Sequence, residues 1–69
     1  MSDRVYRLTE IVGTSNESIE KAIEVAVDRA NQTLRNVRWF EVENTRGFVH
    51  PDRGIEYQVT LKLGFQLED

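Results

Sequence analysis

From Ile55 to Glu68 apolar and polar residues alternate without interruption. Ile55, Tyr57, Val59, Leu61, Leu63, Phe65 and Leu67 fall on one face of an extended strand, and Glu56, Gln58, Thr60, Lys62, Gly64, Gln66 and Glu68 on the other. A strand of this kind buries one side and wets the other, so it belongs to a sheet covered on one face. The cover has to come from the same 69 residues or from another chain.

One segment supplies a matching apolar stripe. Ile19, Ile23, Ala26, Ala30 and Leu34 recur in steps of four, three, four and four, and Val27 widens the stripe. Glu20, Lys21, Glu24, Asp28, Arg29 and Asn31 take the opposite side. This predicts a helix over about residues 16–35. Thr14 and Glu17 have the spacing of a capping box, and Ser15 is an equally good N-cap. Glu17 and Glu20 suit the positive end of the helix dipole and Arg35 the negative end, with Asn36 just past the stop.

Val5 to Val12 reads as a first strand, ended by Gly13-Thr14-Ser15, and Val37 to Val49 as a second. Pro51-Asp52-Arg53-Gly54 is turn material between the second and third strands. The order is β-α-β-β, an α+β fold in one domain, residues 1–69. A right-handed crossover sets strands one and two parallel, and the third returns antiparallel between them. The expected result is a three-stranded antiparallel sheet with a helix on one face. Its other face, polar and uncovered, is where a site is to be sought.

A domain this small is marginal alone and ordinarily needs disulfides, a metal or partner subunits. The chain has no cysteine and one histidine, which points to a homo-oligomer rather than a metal site. The net charge is −3 and the nine Lys and Arg form no run, so no nucleic-acid partner is expected. No apolar stretch reaches the roughly 18 residues of a membrane span, and the first residues lack a signal-peptide pattern. A cytoplasmic location is the expectation.

In the second strand Phe40 and Val42 share the core face, whereas Trp39 stands with Glu41, Glu43 and Thr45 on the other. An indole among carboxylates is either an oligomer contact or a platform for a flat ligand such as a flavin or a nucleobase. Gln58, on the polar face of the third strand, offers donor and acceptor together; it is either solvated or set against the mixed edge of such a ring. With Asp52 and Arg53 at the hairpin tip, Trp39 lies opposite Gln66 and Gln58 opposite Gly47. The two are then eight residues apart, roughly 26 Å at about 3.3 Å per residue. If both serve one ligand, they come from different subunits. A bulge at Gly47 would turn Arg46 outward beside Gln58, to contact either a ligand or one of the carboxylates Glu43 and Glu56.

Glu10-Ile11-Val12-Gly13-Thr14-Ser15, Thr33 through Val42 (with Trp39-Phe40-Glu41-Val42), Thr45-Arg46-Gly47 and Tyr57 through Phe65 together make the chain resemble the dodecins. These are small flavin-binding proteins that assemble into hollow shells of twelve subunits. The resemblance implies flavins stacked in pairs between tryptophans of neighbouring subunits. Trp39 matches the clamping residue, Gln58 the glutamine on the ring, and Arg46 an arginine near the ligand in bacterial-type members. Gln66 departs from the pattern, because many such members carry a basic residue there. The ligand it implies is FMN, or alternatively riboflavin or another flavin.

Nothing in the sequence supplies a catalytic constellation: there is no cysteine, His50 falls in a turn, and Glu41 and Glu43 are a common solvated pair. The expected role is therefore non-enzymatic, a flavin store whose tryptophan also quenches the photoexcited ring. A module using Trp39 purely as an interface anchor is the competing expectation.

Overall fold

The structure, a computed structural model, describes residues 3–68. Its elements are β1 (Tyr6–Ser15), α1 (Ile19–Thr33), β2 (Val37–His50) and β3 (Gly54–Gln66). β3 lies in the middle, antiparallel to both neighbours, so β1 and β2 run parallel to each other, as a helical crossover demands. The α+β, β-α-β-β architecture expected from the sequence is the one observed.

The alternation of β3 does what it predicts: Val59, Leu61 and Leu63 are fully buried beneath α1. The helix meets them through Ala22, Ala26 and Ala30, which form one row at spacings of four, with Ile19, Ile23 and Val27 packed partly against the core. The sequence reading gave weight to the larger residues of the stripe and overlooked Ala22. Methyl groups hold the line of closest approach because nothing larger fits there.

Gly13 explains both that approach and an error in the first strand. It does not end β1, which continues to Ser15 and pairs with Tyr57. A Cβ on Gly13 would run into the Ala22 carbonyl oxygen and lie 2.8 Å from the Ala26 Cβ. The glycine is thus a docking notch for the helix inside a continuous strand.

The helix also starts later than its capping signals suggested. Ser18, with extended backbone, is the N-cap, and its hydroxyl accepts from the Lys21 amide at 2.9 Å. Thr14 and Ser15 still belong to β1, and the Ser15 hydroxyl accepts from the Glu17 amide instead. At the other end Leu34 is already extended and its amide donates to the Ala30 carbonyl at 2.8 Å. Arg35 therefore lies past the helix and pairs with Glu68 at 3.4 Å rather than complementing the dipole. Asn36 takes the left-handed conformation at φ 63°. Ser18→Ala is expected to lower stability by about 0.5–2 kcal/mol, read as a smaller unfolding free energy in urea.

α1 covers β1 and β3. Phe40 and Val42, assigned to the core from the sequence, remain 47% and 46% exposed. They point to the helix side of the sheet, but β2 lies beyond the helix's reach. The opposite sheet face is not simply polar either, because β1 contributes Tyr6, Leu8 and Val12 to it, all exposed. Among the described residues six hydrophobic ones are buried, three of them alanines, against twelve large hydrophobics left exposed. So much uncovered apolar surface on both faces is a signature of assembly.

Candidate functional site: an indole platform on the open sheet face

Two irregularities in β2 decide which side chains share the open face. The register with β3 shifts between Val37 and Trp39 and again between Val42 and Asn44. The second shift reverses the parity of everything beyond it. Thr45 then joins the Val59 side, and Arg46 lies directly opposite Gln58 on the open face. The expected bulge at Gly47 is absent, and Gly47 pairs regularly with Tyr57. The outward turn of Arg46 was correctly anticipated and wrongly located.

The hairpin tip and the second shift together move Trp39 from its expected place opposite Gln66 to a place opposite Gly64: His50 pairs with Gly54, one position off the expected tip, and the shift between Val42 and Asn44 adds another. Its indole lies across that glycine: a side chain there would strike Cε2, Cζ2 and Cη2 alike. The indole Nε1 donates to the Glu41 carboxylate at 3.1 Å, which fixes the ring's rotation. From β1, Tyr6 stands beside it, centroids 5.1 Å apart and planes inclined by 72°. One ring face thus rests on backbone, the N–H is occupied and one flank is walled. Trp39 keeps 37% of its surface exposed, on the side of the sheet away from the helix.

Tyr6, Gly64 and the role of Glu41 were missed by sequence reasoning. A glycine on the polar face of the best-patterned strand, close to the one tryptophan in hairpin register, was the available signal. Tyr6 was legible only once the β1–β3 pairing was known.

The other expected residues form a second group. Thr14, Gln58 and Arg46 make one row across the three strands. Neither Gln58 nor Arg46 has a side-chain hydrogen bond or ion pair among the described residues. Both carboxylates considered for Arg46 are engaged elsewhere: Glu43 with Lys62 at 3.8 Å and Glu56 with His50 at 3.0 Å. Six residues of β3 separate Gln58 from Gly64, roughly 20 Å at about 3.3 Å each. The span is shorter than expected from an unshifted hairpin, yet the structure does not bring Trp39 and Gln58 together within one chain.

A groove of about 640 Å³ runs between α1 and β1, lined in part by Ile11, Val25, Ala26 and Leu34. It contains none of Trp39, Gln58 or Arg46. Among the described residues no cluster of three or more His, Cys, Asp or Glu side chains is placed to hold a metal. No helix among the described residues is long and apolar enough to cross a membrane.

Fold and site define a class: a small β-α-β-β sheet protein that presents an aromatic platform and much apolar surface outside its own core. Comparison with known proteins narrows this. The dodecin family model matches residues 5–68. The dodecin of Thermus thermophilus is 48% identical over 66 residues, 96% of each chain. The solved dodecin of Streptomyces coelicolor superposes with a TM-score of 0.91 at 50% identity, covering 100% of this chain and 99% of that one. That of Streptomyces davaonensis gives 0.92 at 46% identity, covering 99% and 100%. The chain belongs to the dodecin family.

Proposed function

We propose that this protein binds flavin, FMN or alternatively riboflavin, between subunits of a homododecamer, and serves as a non-enzymatic cytoplasmic store that quenches the bound ring. The whole chain acts as one flavin-binding domain. The observation that carries the reading is the Trp39 indole, laid flat on Gly64 and held by Glu41 and Tyr6. A ring fixed in this way stacks on a planar partner without losing side-chain freedom, so little of the contact energy is offset by ordering.

The residues present suit a flavin. Its extended ring, when bound, supplies the yellow absorption and an electron-poor face. Trp39 supplies an electron-rich face against it. Gln58 offers an amide donor and acceptor to a ring edge that carries both, and Arg46, opposite it, offers a guanidinium with no carboxylate partner among the described residues. Because Trp39 and Gln58 lie roughly 20 Å apart in one chain, the two groups meet one ligand only across a subunit boundary. The uncovered Phe40, Val42, Leu8 and Val12 give the assembly apolar surface to bury.

An indole in contact with an excited ring returns it to the ground state by rapid electron donation and recovery, with no proton transfer. Catalysis would need a positioned acid or base near the platform. The nearest candidate, Glu41, already accepts the Trp39 N–H.

The test is a fluorescence titration: flavin emission should fall on adding the protein and recover on denaturation. Flavin emission left unchanged by excess protein would refute the reading and favour an interface anchor. Gln58→Ala should weaken binding by about 0.5–1.5 kcal/mol, roughly 2- to 12-fold in Kd, with quenching at saturation unchanged.

A further inference from the structure

The β-bulge beside the platform places a second, unassigned cation there. Arg38 is the residue skipped where the register jumps from Val37–Phe65 to Trp39–Gly64. Regular pairing would have sent its side chain to the face opposite Trp39's. Instead Arg38 Nε reaches Gln66 Oε1 at 3.4 Å, and Gln66 is two residues along β3 from Gly64, on the platform's own face. Gln66 is also the partner of Tyr6 across the β1–β3 ladder, so Arg38 closes the same end of the platform that Tyr6 flanks.

Several charges around the platform are already engaged. Lys62 is paired with Glu43 and Arg35 with Glu68. Glu41 is held by the indole N–H. Arg38 has no carboxylate partner among the described residues; its one contact is a long hydrogen bond to a neutral amide. Four of its five guanidinium N–H donors thus remain free, in a fork suited to phosphate oxygens. Gln66 orients the guanidinium without neutralising it, which a carboxylate in its place would do.

We propose that Arg38 is the phosphate-binding residue of the site, making the protein select the phosphorylated flavin, FMN, over riboflavin. The inference rests on the flavin reading above and divides labour between two arginines. Arg46 lies in the Gln58 row and serves the ring. Arg38 lies beside Trp39 and serves the phosphate at the end of the side chain, which carries a charge of about −1.5 to −2 at neutral pH.

The experiment is a parallel fluorescence titration of FMN and riboflavin with the assembled wild type and with the Arg38→Ala, Arg38→Lys and Arg46→Ala variants. The wild type should bind FMN about tenfold or more tightly than riboflavin, the usual scale of a charge-assisted contact. Arg38→Ala should bring FMN down to the level of riboflavin and leave riboflavin where it was. Arg38→Lys should restore part of the preference, and Arg46→Ala should weaken both flavins alike. Raising the salt concentration should narrow the wild-type gap. Equal affinities in the wild type, or a preference for FMN that survives Arg38→Ala, would overturn the assignment while leaving flavin binding intact. Failure of both flavins to bind the wild type would overturn the flavin reading and this inference together.

Discussion

Trp39→Ala is expected to lower flavin affinity by roughly 5- to 150-fold, the range set by about 1–3 kcal/mol for stacking one flat ring on an aromatic side chain. Flavin that still binds at high protein concentration should lose much less of its fluorescence, because the electron-rich face is gone. The fold should survive. The indole lies outside the core, over Gly64, and Val59, Leu61 and Leu63 do not depend on it. Intact-mass measurement should therefore give the wild-type subunit number, and the far-ultraviolet circular dichroism should be unchanged. A variant that binds and quenches like the wild type would remove Trp39 from the site.

Gly13→Val is expected to act in the opposite place, on the fold rather than on the ligand. The notch at Gly13 admits no Cβ without displacing the Ala22 carbonyl and the Ala26 methyl, and neither is the free end of a flexible side chain. The helix has to move off the strand, opening the contact that buries Val59 and Leu61. Overpacking of this kind costs about 1–3 kcal/mol, and each kcal/mol is worth roughly 4–8 °C in the unfolding midpoint of a domain this size. Differential scanning calorimetry would show it. An unchanged midpoint would mean that the helix sits farther from β1 than the geometry requires.

Much of the fold was legible because β3 obeys a strict two-residue period and α1 a helical one, and the two patterns need each other. The boundaries were less so. Gly13-Thr14-Ser15 has the composition of a strand end, yet tertiary packing uses Gly13 as a notch and keeps the strand going. Three hydroxyl residues compete for the helix cap, and only Ser18 sits where its oxygen meets the amide three residues on. Phe40 and Val42 looked like core because alternation tells which face a residue takes, not how far a single helix spreads over it.

For the site, Trp39 and Arg46 were visible as departures from pattern and Gln58 as an amide on the regular polar face of β3, and all three do lie on the open face. What sequence could not supply was the register. Each shift in β2 displaces later pairs by one position, and a one-residue slip exchanges the two faces. The hairpin tip, where His50 pairs with Gly54, sets Arg46 opposite Gln58 instead of one position away; the shift between Val42 and Asn44 adds a second position, so Gly64 rather than Gln66 lies under the indole. The first shift is also where Arg38, skipped in the pairing, reaches Gln66 beside the platform.

A crystal structure grown with FMN tests the central claim most directly. The isoalloxazine should lie parallel to the Trp39 indole at about 3.5–4.0 Å, with Gln58 of a different subunit on its edge. Density for the flavin elsewhere, or a neighbouring subunit's own side chains filling the space over the indole, would contradict it.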